Sequence, residues 1–190
     1  MDWNLRYKEN DTPWDKGAGH PALSGKLFGS ALGGRVLVPG CGVGHDVRAL
    51  AAAGVECVGL DISPIALKQA SAFAQGTGSS YVLGDFFQLP IALRGGFDTI
   101  FEHTCFCAIE PDRRPDYVQA AHLALRSGGR LCGIFYAEPD NDDAGPPYGC
   151  TRAELDLLFD GKFRLLEERG GIPTYAGREG RELLRIMERI

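Results

Sequence analysis

A chain of 190 residues with 44% hydrophobic and 24% charged residues has the size and make-up of one globular domain around one sizeable core. Its 20 Lys and Arg stand against 25 Asp and Glu, a net charge of −5 with no basic run, so the chain offers no electrostatic footprint for nucleic acid. No stretch approaches the apolar length of a membrane-spanning helix, and the opening residues lack the apolar core of a signal peptide, which points to the cytoplasm and away from a membrane partner.

The first segment holds Asn10 to Gly17, NDTPWDKG, a polar and turn-prone stretch with one indole, Trp14, in its middle. Such an indole either pins a loosely ordered arm to the domain or covers a ligand, because it buries much apolar area wherever it meets a surface. From residue 35 onward short β-rich runs alternate with helix-like segments. Val36 to Val38, Cys57 to Leu60, Tyr81 to Leu83, Thr99 to Phe101 and Leu131 to Tyr136 read as strands buried on both faces. Between them a helix from Val47 to Ala53 is closed by Gly54, and a second is capped by Ser63 with Pro64 at its first position and Gly76 past its end. A third runs through Tyr117, Ala121, Ala124 and Leu125 and is stopped by Gly128 and Gly129. Thr151 with Glu154 forms a capping box that opens the last helix, whose apolar side is Leu155, Leu158 and Phe159. Two closing β-like runs, Phe163 to Glu168 and Leu183 to Ile190, predict a hairpin, hence one antiparallel strand at the edge of a mostly parallel α/β sheet. The six cysteines, Cys41, Cys57, Cys105, Cys107, Cys132 and Cys150, are scattered, several of them in apolar runs, and fit reduced packing thiols better than a disulfide framework or a metal site.

Three features stand at three successive strand ends. The first strand runs into Gly40, Gly42 and Gly44, which let the backbone turn tightly and approach a ligand with no side chain in the way. A dinucleotide loop needs a third glycine at the sixth position, where this chain has His45, and a Walker loop needs Gly-Lys-Ser/Thr, which is absent; a nicotinamide-dependent oxidoreductase is thereby disfavoured. Asp61 ends the second strand, where an acid can accept both hydroxyls of a ribose. Asp85 with Phe86 ends the third, where a carboxylate can take an amino proton of adenine while the ring packs on its face.

With these residues the chain resembles the class I S-adenosylmethionine-dependent methyltransferases, and within them the thiopurine S-methyltransferase superfamily, especially its thiol and halide methyltransferase branch. The likeness spans nearly the whole chain and rests on TPWDKG (12 to 17), VLVPGCGVGHDV (36 to 47), VGLDIS (58 to 63), FCAIEPDRRPDY (106 to 117), GPPY (145 to 148) and GGIPTYAGREG (170 to 180). It implies a Rossmann-like seven-stranded, mostly parallel sheet with an antiparallel last strand and helices on both faces. It also implies one methyltransferase domain over residues 1 to 190, with 1 to 34 as an arm over the cofactor. S-adenosyl-L-methionine would sit over Gly40, Gly42, Asp61, Asp85 and Phe86, with Trp3, Tyr7 and Trp14 of the arm as its lid and an indole face toward the sulfonium.

Transfer of methyl to a thiolate or halide is an in-line displacement that needs little acid–base help, so the site should hold the anion, exclude water and align it. The candidates at the acceptor are His103, expected also to contact the cofactor, and Tyr148 of the GPPY turn, which the resemblance places near the acceptor. Plant members of the resembling branch have Asp-Tyr and thiopurine members Asp-Arg where this chain has Glu102-His103, which makes a purine-sized acceptor the weaker choice. The expected function is methyl transfer to a small soft nucleophile: sulfide, a thiol or a halide. Thiopurine, aryl thiol, chalcogen or metalloid methylation is the runner-up, and a non-catalytic cofactor-binding regulator is the alternative of another class. The Pro-Pro-Tyr of amino methyltransferases follows the fourth strand, whereas Pro146-Pro147-Tyr148 follows the fifth. His20, His45 and His122 read as surface or packing residues rather than bases.

Overall fold

The computed structural model describes residues 1–25, 27–73, 78–137 and 145–190. A short helix α1 (Trp3–Lys8) precedes β1 (Arg35–Pro39), α2 (His45–Ala52), β2 (Glu56–Asp61), α3 (Pro64–Ser71) and β3 (Ser79–Leu83). There follow β4 (Phe97–His103), α4 (Arg114–Ala124), β5 (Leu125–Tyr136), α5 (Arg152–Phe159), β6 (Phe163–Arg169) and β7 (Glu182–Arg189). The expected caps are present: the Ser63 hydroxyl accepts the Ala66 N–H at 3.2 Å, and Thr151 and Glu154 form a reciprocal capping box. Gly54, at a φ of 83°, follows the end of α2. Gly76 lies outside the described residues.

The seven strands form one sheet in the order β3-β2-β1-β4-β5-β7-β6. The first five run parallel, and β7 is antiparallel to both of its neighbours. The hairpin is as expected, but its antiparallel strand is not the edge. β7 inserts between β5 and β6 because Leu183, Leu184, Ile186 and Met187 are buried along its length, while β6 leaves Leu165 and Leu166 in solvent and so takes the edge. A second difference concerns Gly128 and Gly129. Helix α4 ends at Ala124, Leu125 is already extended and pairs with Phe97, and the two glycines belong to β5. The buried Leu125 side chain, not the glycines, turns the chain from helix to strand: it is needed beside Phe97 in the core.

Side chains alternate across the sheet, and both faces are covered. Leu37, Ile100 and Leu131 face a layer completed by Tyr117 of α4 and Leu155 of α5, while Val36, Val38, Phe101 and Cys132 face the layer that receives Val47 of α2. The parallel arrangement brings the carboxyl ends of β1 to β4 to one edge of the sheet, the edge at which open α/β sheets bind ligands. Among the described residues no helix is long and apolar enough to cross a membrane. Leu37 is fully buried and Ile91 is 83% exposed. Leu37→Ala should lower the unfolding free energy by about 2–5 kcal/mol with an unchanged urea m-value, whereas Ile91→Ala should stay within about 0.5 kcal/mol of wild type; urea denaturation read by far-UV circular dichroism checks both.

Candidate functional site

A cavity of about 650 Å³ opens at the edge to which β1 to β4 deliver their carboxyl ends. Its floor is made by strand-end residues Gly40, Asp61, Asp85 and Phe86, its roof by Trp3, Tyr7 and Trp14, and one wall by Tyr148, Cys107 and Arg178. Eight of the expected site residues therefore meet in one space. Gly42 and His103 do not line it. They line a smaller space of about 50 Å³, which shares Tyr7, Trp14, Gly40 and Thr104 with the larger one.

The glycine turn is left-handed at all three glycines, with φ of 58° at Gly40, 54° at Gly42 and 81° at Gly44. A Cβ on Gly40 would lie 3.0 Å from both Cβ and Sγ of Cys105, so the turn is packed against the far side of the site as well. Gly42 serves the site by bracing it: its N–H donates to Asp61 Oδ2 at 2.7 Å, and the Ser63 N–H donates to Oδ1 at 2.8 Å. Burial raises the Asp61 pKa against the pull of those amides. Asp85 accepts from the Phe87 N–H at 2.9 Å and from Gln88 Nε2 at 3.2 Å, and Phe86 packs on Tyr117 with ring centres 5.2 Å apart.

The arm is docked, not loose. Asn4 Oδ1 accepts from the Ser63 hydroxyl at 2.9 Å and from the Ile65 N–H at 3.3 Å, which seats α1 on the start of α3. Trp14 packs edge-on against Trp3 and Tyr7 at 5.3 and 5.8 Å, and its indole N–H donates to the Tyr7 hydroxyl at 3.2 Å. The cation over Trp14 is the chain's own Arg6, whose guanidinium carbon stands 4.9 Å from the ring centre. One ring face is thus held by Arg6.

Opposite the arm, the GPPY turn is tied to the turn after β4. The Tyr148 N–H donates to the Cys107 carbonyl at 2.7 Å, and buried Arg114 donates to the carbonyls of Tyr148 and Gly149 at 3.1 and 2.9 Å. Both prolyl bonds of that turn are cis. Beneath it lies Glu102, fully buried, with Oε1 accepting the Phe106 N–H at 2.7 Å and Oε2 accepting the Tyr117 hydroxyl at 2.5 Å. Cys105 and Cys107 also reach the cavity; burial pushes both thiols up, Cys107 to about 12, so they are neutral walls.

His103 sits behind this wall. Its Nδ1 faces Asp46 Oδ2 at 2.7 Å, and its Nε2 is buried with no hydrogen-bond partner among the described residues. Burial alone would lower its pKa, but the Asp46 carboxylate outweighs it and the net shift is upward. His20 is not a surface residue. It is 1% exposed and its Nε2 lies 2.8 Å from Glu182 Oε2, while Glu182 Oε1 accepts from Arg178 at 3.0 Å. Burial would raise the Glu182 pKa, but bonds from His20, Thr174 and Arg178 hold it at about 2. His45 pairs with Asp15 at 3.0 Å and His122 with the Ile190 carbonyl at 3.2 Å. Asp46, Glu182 and Arg178 escaped the sequence reading, although a glutamate and an arginine inside GREGRE next to an apolar strand could have signalled a buried pair.

Glu102 has a distinct pH signature. Burial pushes its pKa to about 7 from an ordinary 4.5, against the hydrogen bonds from Phe106 and Tyr117. The folded chain then holds this proton more tightly than the unfolded chain. Its contribution to stability is full below the ordinary value and is lost as pH rises through about 4.5 to about 7. Glu102→Gln keeps an acceptor for Phe106 and a partner for Tyr117. Its Tm, followed by calorimetry across that interval, should fall less with pH than that of wild type, and an equal slope would place the titration elsewhere.

Comparison with known proteins gives a consistent picture. The family described as thiopurine S-methyltransferase matches residues 1–171. Thiocyanate methyltransferase 1 of Brassica oleracea is 38% identical over 192 residues, covering 96% of this chain and 82% of that protein. Probable thiol methyltransferase 2 of Arabidopsis thaliana is 37% identical over 162 residues, covering 83% of this chain and 70% of the other. A solved structure from work on the conversion of a disulfide bond into a thioacetal group during echinomycin biosynthesis superimposes with a TM-score of 0.76 at 26% identity, covering 93% of this chain and 85% of that one.

Proposed function

The chain belongs to the thiopurine S-methyltransferase family of S-adenosylmethionine-dependent methyltransferases, and from that premise we propose that its acceptor is a small soft nucleophile: sulfide, a thiol, thiocyanate or a halide. The observation that carries this reading is a cavity of about 650 Å³ with strand-end acids on its floor, aromatics of the arm above, and Tyr148, Cys107 and Arg178 in one wall. We take residues 1 to 190 as one domain with 1 to 34 as the arm over the cofactor. Its compartment is the cytoplasm, where the six free cysteines stay reduced.

The residues fit the cofactor. Asp61 and Asp85 would hold hydroxyl and amino donors of the nucleoside and Phe86 would pack on its ring, and the left-handed Gly40 leaves room that a Cβ would fill against Cys105. His103 and Gly42, which line the smaller space, would attend the amino-acid end. S-adenosylmethionine supplies the methyl group and a sulfonium that becomes a neutral thioether. The chain's own part is to hold the acceptor in line and keep water out. Tyr148 donates a hydrogen bond to the acceptor. The Arg178 guanidinium offers it positive charge from the cavity wall, and the neutral Cys107 thiol beside them gives a soft, weakly polar contact. His103, behind the wall and bonded to Asp46, is not the base for the acceptor.

Headspace gas chromatography of the protein with S-adenosylmethionine and, in parallel, sulfide, methanethiol, iodide, thiocyanate or an aryl thiol tests the reading. A methylated small nucleophile is expected; a preference for the aryl thiol would favour the thiopurine-type alternative, and tight cofactor binding with no product from any acceptor would favour a regulator. Because a thiol has a pKa of about 8.5, turnover of thiols should rise with pH toward that value while turnover of iodide and thiocyanate does not follow it. Tyr148→Phe should lower kcat/KM for the acceptor by about tenfold, one hydrogen bond's worth, with the Kd of S-adenosylhomocysteine unchanged by calorimetry. Trp14→Ala should raise that Kd by about tenfold.

A further inference from the structure

We infer that the N-terminal arm ties both ends of the site together: Trp14 covers the cofactor, and His20 of the same arm braces Glu182, which positions Arg178 toward the acceptor. This rests on the reading of Arg178 as the cation that meets the acceptor anion. The arm would then make anion binding conditional on cofactor binding, without touching the anion itself.

The geometry around His20 is closed on every side. The arm's backbone lies against α2, where a Cβ on Gly19 would come within 2.8 Å of the Ala49 Cβ. The His20 N–H donates to Asp46 Oδ1 at 2.7 Å, and the other oxygen of that carboxylate holds His103. From the loop before β7 the Tyr175 hydroxyl donates to the Ala18 carbonyl at 2.8 Å, and its ring packs edge-on against His20 at 5.3 Å and stacks on His103 at 6.0 Å. His20 itself is the far end of a chain that reaches the cavity. Its Nδ1 accepts the Ala22 N–H at 3.2 Å, which leaves the ring proton on Nε2, and that proton is given to Glu182. Glu182 also accepts from the Thr174 hydroxyl and, on its other oxygen, from Arg178.

A metal ion is the other occupant the cluster suggests. His20, His103 and Glu182 bring potential ligand atoms within 4.8 Å of one another. Yet His20 Nε2 carries a proton, and the Glu182 oxygens already accept from His20, Thr174 and Arg178. Each carboxylate also has its partner without an added ion: Asp46 holds His103 at 2.7 Å, and Glu182 accepts from Arg178 at 3.0 Å. The cluster is a brace whose output is the place of one guanidinium. A guanidinium fixed by a buried carboxylate loses little freedom when an anion arrives, whereas an unbraced one must be ordered at that moment.

Calorimetric titration of thiocyanate into the full-length protein, with and without saturating S-adenosylhomocysteine, reads the coupling directly. S-adenosylhomocysteine has no sulfonium charge, so any gain in anion affinity is transmitted by the chain. Wild type should bind thiocyanate about five- to tenfold more tightly with it present. His20→Ala and Glu182→Gln should abolish that factor and raise KM for thiocyanate about tenfold with kcat at saturation within about twofold. His20→Gln, which keeps an N–H donor toward Glu182, should restore the coupling. In the Arg178→Met background Glu182→Gln should add nothing. Equal anion affinity with and without S-adenosylhomocysteine in wild type, or a Glu182→Gln effect that adds to that of Arg178→Met, would overturn the brace. A wild type that shows the coupling but methylates none of the small nucleophiles would instead sink the acceptor reading and leave the brace standing.

Discussion

The hydrogen bond from the Gly42 amide to the Asp61 carboxylate joins the ends of β1 and β2, and the rest of the site is built outward from it. It requires a left-handed turn straight after a buried strand, which glycine permits at little steric cost. It also requires two parallel strands in register, Val38 opposite Gly59 and Pro39 opposite Leu60, so that the turn and the acid arrive together. Asp61 in turn holds the Ser63 amide, and the Ser63 hydroxyl bonds Asn4 of the arm. One strand-end carboxylate thus sets the glycine loop and the first turn of α3, and through Ser63 the seat of the arm.

Three buried acids, Glu102, Glu182 and Asp61, and the partly buried Asp46 behave differently because their partners differ. Glu102 receives only neutral donors, an amide and a phenol, and burial takes its pKa to about 7. Glu182 faces Arg178 and a histidine, and the same residue type is held at about 2. Asp46 is lowered by His103 and the His20 amide despite burial, while Asp61, with amides alone, is raised. Desolvation acts on all of them; the presence of a cation decides the sign. The cationic pairs gather on the side of the arm and the loop before β7, where three separate pieces of chain must be held together. The neutral bonds of Glu102 gather under the turn that carries Cys105 and Cys107 into the cavity.

The division of the cavity also has a physical basis. Its floor comes from strand ends and its roof from a segment that precedes the sheet in sequence, so floor and roof are joined mainly by side-chain contacts. Such contacts can open at lower cost than a strand pairing. The roof's aromatics supply apolar cover over a space with acids on its floor, and the cation of the opposite wall is held by a carboxylate buried behind it.

Most of the sheet was legible in the sequence because the relevant physics is local. Apolar runs such as Val36 to Val38 and Leu131 to Tyr136 are long enough to bury both faces of a strand and too short for a helix, and Ser63-Pro64 and Thr151 to Glu154 mark helix starts by satisfying their own amides. The glycine turn and the acids at positions 61 and 85 were legible for the same reason, since each follows directly on its strand. The place of β7 was not, because Leu183 and Leu165 look alike in sequence and only the pairing with β5 decides which strand is inside. Nor could the sequence separate Gly42 and His103 from the larger cavity, or bring His20 to Glu182 across 162 positions. Local composition determined the elements and the ends of the strands. Contacts between distant segments, set by which buried charge finds which partner in a space without water, were decided by the tertiary structure alone.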